Sequence, residues 1–143
     1  MVTPQIIADY FLKKTHPEFG DAISNLKLQK MIYYAQGFHL AMFNKPFFED
    51  NIIAWEHGPV VENLYFKYKE YGAGEIPSPI SINLKDFNQD QIDLLDEVFE
   101  VYGQFSAWKL RNMTHSERPW VETPKNQIIS KELMKDFFKT LLN

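Results

Sequence analysis

Four histidines, His16, His39, His57 and His115, are the side chains in this sequence best suited to bind a metal or move a proton near neutral pH. Their spacing organises them for neither task. No H-x-x-x-H or H-E-x-x-H pair sets two imidazoles on one helical face. There is no G-x-G-x-x-G, no G-x-x-x-x-G-K-[ST] and no G-x-S-x-G, and Gly72-Ala73-Gly74 is too short to cradle a phosphate. Carboxylates are plentiful, but none is singled out by spacing as an acid–base pair. With no cysteine there is no thiol nucleophile, no thiolate metal site and no disulfide. The reading is therefore of a protein that is not an enzyme, with no catalytic residue, no metal and no cofactor. One enzymatic alternative stays open, a metal-dependent hydrolase in which His57 and His115 meet in space beside carboxylates.

Two clusters are not explained by core packing alone. They are AWEHGPVVENLY, Ala54 to Tyr65, and THSERPW, Thr114 to Trp120. Each sets a Trp beside a His and a Gly or Pro at a junction between elements. Either the rings plug the core while Pro and Gly shape turns, or they form a rigid patch for recognition. Polarity and position assign Trp55, Pro59 and Trp120 to the fold. They assign His57, Glu62, His115, Ser116 and Arg118 to a partner-binding surface.

The element that must position these clusters runs from Asn25 to Phe43. At about 100° per residue, Leu28, Met31, Ile32, Ala35, Phe38 and Met42 share one broad face, and Leu26, Tyr33 and Leu40 lie nearly opposite. Two apolar sides predict a central helix packed on both. His39 falls on the main apolar face and reads as a core histidine with a hydrogen-bond partner. Gln29 and Gln36 leave a polar stripe whose amides need partners if buried.

Around it, Thr3-Pro4 caps a helix to about Lys14, ended by His16-Pro17, with a connection from Glu18 to Ser24. Phe47-Phe48 and Ile52 to Trp55 read as two short strands about a tight turn, and Pro59 as the start of a helix to Tyr71. Ile80-Ser81-Ile82 is a third strand or a covering loop. Asn88 to Tyr102 is amphipathic, with Leu94, Leu95, Val98, Phe99, Val101 and Tyr102 inward. Asp90, Asp93, Asp96, Glu97 and Glu100 form the other side, a solvated face or a dock for a basic partner. Ser106 caps a helix to Thr114, and THSERPW is too punctuated for regular structure. A last helix, Ser130 to Leu142, buries Leu133, Met134, Phe137, Phe138 and Leu141, and places Lys131, Lys135 and Lys139 outside. Those lysines motivate a second alternative, a nucleic-acid-binding regulator. The fold class is mainly α (α+β): one compact domain, residues 1–143, around the 25–43 helix with a small hairpin or sheet near 47–56.

The chain carries a net charge of −4, which argues against broad nucleic-acid binding driven by phosphate neutralisation. Its aromatic fraction, 15%, is high enough to supply anchors for a partner as well as a core. The N-terminus lacks a secretory signal, no apolar run approaches the ~20 residues of a membrane span, and a cytoplasmic location is expected.

Taken in order, the motifs resemble those of the Panacea domain, known also from phage-associated GepA-like proteins. Lys27, Leu28, Gln29, Lys30, Tyr33, Tyr34, Ala35 and Gln36 match its helix signature. Trp55, Gly58, Pro59 and Val60 match its A-W-x-x-G-P-V element and Tyr65 the later Tyr of its pattern, and Thr114, His115, Pro119 and Trp120 match its T-H-x-x-x-P-W. The resemblance implies a mainly helical domain with a small sheet and an antitoxin role in toxin–antitoxin systems and phage defence. It implies a cognate protein toxin as partner, neutralised by direct binding: its active surface is occluded, or it is presented to host protein-handling machinery. No catalysis goes with the motif. Many members have an additional segment, for which this chain has little room, so self-repression through a separate DNA-binding module is not expected.

Overall fold

The structure, a computed structural model, describes residues 1–16 and 22–142. Most of the expected connection from Glu18 to Ser24 lies outside the described residues.

Helix α1, Pro4–Lys14, starts where the Thr3 hydroxyl accepts from the Ile6 amide and Pro4 enters the first turn. Helix α2, Asn25–Phe43, is capped by Ser24 and stops at Asn44, whose backbone turns left-handed at φ 60°. As predicted, α2 is central. Leu28, Met31, Ile32 and Ala35 are buried on one side, and Tyr33 and Leu40 on the other. Met42, expected on the apolar face, emerges at the helix end and is exposed.

Against α2 pack α4, Gln89–Tyr102; α5, Ala107–Thr114; and α7, Lys131–Lys139. The approach of α7 is close: a Cβ on Gly37 would stand 2.1 Å from the Phe138 ring. An Asn88–Gln91 capping box opens α4, which buries Leu94, Leu95 and Val98 but leaves Val101 exposed. Its acidic side is not uniformly solvated, because Asp96 takes the Tyr10 hydroxyl and pairs with Lys14 at 3.1 Å, tying α4 to α1. Helix α7 ends earlier than expected, at Lys139, and Leu141, expected to be buried, is exposed.

The sheet differs from the expected pairing. Strand β1, Ile52–Trp55, does not pair with Phe47-Phe48. It pairs with β2, Gly58–Val60, across a two-residue turn at Glu56-His57, and on its other side with β3, Ile128–Ile129. The physical reason lies in α2. The Gln36 side chain accepts from the Phe47 amide at 2.7 Å and donates to the Phe48 carbonyl at 2.8 Å, so that backbone is already bonded to a helix. Pro59, expected to open a helix, sits in β2, an edge strand where its missing N–H costs no ladder bond. The helix α3 therefore begins later, at Glu62, and runs to Tyr68, followed by a 3₁₀ turn from Lys69 to Tyr71. Residues 80–82 form no strand. Ile80 is exposed, with its carbonyl held by Lys13, and Ile82 packs on the core. THSERPW, expected to be irregular, holds a helical turn, α6, Arg118–Val121, with Pro119 in its first turn. No described helix is long and apolar enough to cross a membrane.

Candidate functional site

The polar stripe of α2 reaches a different neighbour at almost every step. Gln29 accepts from the Val61 amide at 2.9 Å and donates to Asn25, which donates in turn to the Tyr65 carbonyl. Lys30 is fully buried and donates to the Pro59 carbonyl at 3.2 Å. Tyr33 and Tyr34 donate to the two carboxylate oxygens of Glu117 at 3.0 and 2.8 Å. Lys27 donates to the Gly103 carbonyl at 2.6 Å.

The hairpin and the α5–α6 corner close over this stripe. Gly58 has φ 114°, and a Cβ there would lie 2.5 Å from Lys30 Cε and 2.8 Å from Thr114 Oγ1, so only glycine admits both. The His115 ring stacks on Trp120 at 3.9 Å and 7°, and its buried Nε2 finds no hydrogen-bond partner among the described residues. Trp120 Nε1 donates to the Trp55 carbonyl at 2.7 Å, and Trp55 meets Tyr65 edge-on at 4.9 Å. Three sequence motifs separated by tens of residues thus form one hydrogen-bonded body.

A family model, antitoxin SocA-like, Panacea domain, matches residues 28–121, which take in all three motifs apart from Lys27. The chain belongs to this family. Membership carries an antitoxin-like role and, in general terms, a toxin as partner. Neither a curated protein nor a solved structure matches the chain.

The electrostatics of this Panacea domain are unusual at its centre. Burial, reinforced by the Arg111 charge, lowers the Lys30 ammonium from 10.5 to about 7. Burial raises the Glu117 carboxyl from 4.5 to about 7, against the opposing pull of the Tyr34 and Tyr33 hydroxyls. The same burial, with the Glu117 charge, pushes Tyr33 and Tyr34 up and Tyr102 to about 12. The His115 imidazole is lowered by burial first, then by Arg111, Lys30 and His57, with the Glu56 backbone opposing.

The structure brings His57 and His115 to the same corner, but with a guanidinium between other groups there. Arg111 Nε donates to His57 Nδ1 at 3.4 Å, and the Arg111 head lies 4.5 Å from the Trp108 ring centre. Among the described residues no three His, Asp or Glu side chains converge as a metal site needs. Two imidazoles beside a fixed cation do not suit a divalent ion. His39 is a core histidine as expected: its Nδ1 donates to the Lys45 carbonyl at 2.8 Å and its ring stacks on Phe47.

The remaining predicted surface residues are dispersed. Ser116 and Arg118 are exposed, Arg118 pairing with Glu122 at 2.7 Å. Glu62 is exposed in a separate depression with Asp50 and Asn51. Lys131 donates to the Glu49 carbonyl, and Glu132 and Asp136 interrupt the lysines of α7.

Beside His57 opens a groove of about 490 Å³, walled by Leu26, Trp55 and Tyr65, with Lys69 on its margin. Sequence reasoning missed Glu117, Arg111 and the exposed Trp108. Glu117 carries no signal, being an unremarked position inside THSERPW. The burial of Lys30 did have one: it lies in the helical row Leu26, Lys30, Tyr33, Gly37, Leu40, otherwise apolar.

Proposed function

We propose that this chain neutralises a cognate protein toxin by direct binding, as a single domain working in the cytoplasm within a toxin–antitoxin or phage-defence system. The observation that carries this reading is the family match across residues 28–121. The geometry supports it by dividing labour. Gln29, Lys30, Tyr33, Tyr34, Gln36 and Trp120 are engaged inside the molecule, which makes the motif a scaffold. The exposed His57, Ser116, Arg118 and Trp108 are left to face the partner. Nothing in this arrangement requires bond making. Occlusion of the toxin's active surface is the simplest use of such a body.

The test is co-expression with each gene adjacent to its own. Rescue of growth from a neighbouring toxic product, with both proteins recovered in one complex, is the expected result. No rescue from any neighbour, and no co-purifying partner, would refute the reading.

A further inference from the structure

The corner around Lys30 gathers positive charge without answering it. Lys30 donates to one backbone carbonyl, and among the described residues neither it nor Arg111 pairs with a carboxylate. His57 and His115 lie in the same neighbourhood, and the Arg111 charge disfavours the charged forms of both Lys30 and His115. This happens on a chain whose net charge is −4. The groove that Lys30 and His57 help to line adds Lys69 and has Glu56 as its one acidic lining residue among those described. Its walls are apolar and aromatic, Trp55 with Tyr65, and the exposed Phe66 packs on both. Past His57 the rim continues to Trp108, 55% exposed, with Arg111 over its face. An uncompensated cationic cluster beside an open aromatic wall is complementary to carboxylates carried next to an apolar anchor.

We propose that this groove binds an acidic peptide segment of the partner protein, its carboxylates facing Lys69 and Arg111, and an apolar or aromatic side chain lying on Trp55 and Tyr65. The inference rests on the antitoxin reading and specifies the chemistry by which the partner is held. Arg111 is a fork with donors left over after His57 and Asn112, and such a fork suits a carboxylate. The partner's negative charge would relieve the repulsion among cations that the free protein tolerates.

Selection of a random dodecapeptide library on the immobilised full chain tests this. Enrichment of peptides rich in Asp and Glu with one apolar or aromatic residue is expected. The best such peptide should bind at least about tenfold more weakly to Lys69→Glu and to Arg111→Glu, but equally well to Lys85→Glu, an equivalent reversal on an exposed turn. Melting temperatures of the three variants confirm folding, and Trp108→Ala gives a charge-neutral second probe of the rim. No enrichment, enrichment of neutral or basic peptides, or undiminished binding by both groove variants overturns the proposal. So does tight low-salt binding of a labelled single-stranded oligonucleotide lost in the same variants, which would give the groove to nucleic acid. The co-expression assay separates the two claims. If the wild type rescues growth and the groove variants rescue equally, the groove proposal falls and the antitoxin reading stands. If the wild type rescues nothing, the antitoxin reading falls, and the peptide selection still reports on the groove.

Discussion

Lys30 and Glu117 are ionisable side chains held largely away from water, one beneath the β1–β2 hairpin and one between two phenols. Their linkage to folding has opposite signs. Lys30 titrates near 7 when folded against 10.5 when unfolded, so between those values the unfolded chain binds more protons and the Lys30 contribution to stability rises with pH. Glu117 titrates near 7 against 4.5, so between those values the folded chain binds more protons and its contribution falls as pH rises. Single variants isolate each effect. The melting temperature of Lys30→Met relative to wild type should be most favourable at or below pH 7 and decline toward pH 10. That of Glu117→Gln relative to wild type should climb from pH 4.5 to pH 7 and then level. Circular dichroism melts across this range check both, with shifts on the order of several degrees. Flat differences would mean that water or a neighbouring charge reaches these groups in solution.

At the scale of elements, α2 acts as a rack on which loops and helices are hung by side-chain amides and close ring contacts. Gln36→Ala leaves the Phe47 amide and Phe48 carbonyl without their partner and should cost about 2–4 kcal/mol in urea unfolding. Gly37→Ala drives a methyl into the Phe138 ring, and the loss of about 1–3 kcal/mol should be smaller when Phe138→Leu is present, since the two sites share one contact. Trp120→Phe keeps the ring stack with His115 but removes the bond to the Trp55 carbonyl, a loss of about 1 kcal/mol.

For the whole molecule, scaffold and recognition surface should separate experimentally. His57→Ala and Arg118→Ala change exposed side chains, so their melting temperatures should match the wild type while rescue of growth weakens. Gln36→Ala should instead lose rescue only as far as it loses folded protein, measured by soluble yield. A large fall in melting temperature for His57→Ala would place that ring in the scaffold instead.

Local rules were enough to read most elements. Ser106 before Ala107 and Thr3 with Pro4 name helix starts, because a cap depends on residues within one turn of itself. Family membership was legible for a similar reason: the motif residues stand in fixed order whatever their contacts. The partner of β1 was not legible. Whether Phe47-Phe48 joins a ladder depends on whether its amides are already taken, and they are taken by Gln36, eleven residues earlier on another element. Nor was the cationic groove, because Lys30, Lys69 and the Trp108–Arg111 pair lie on three separate stretches. Sequence alone settled what bonds to its own turn of backbone and which family the order of motifs belongs to. Tertiary structure decided which polar groups are used up inside and which charges stand unanswered, since both depend on neighbours that only folding brings together.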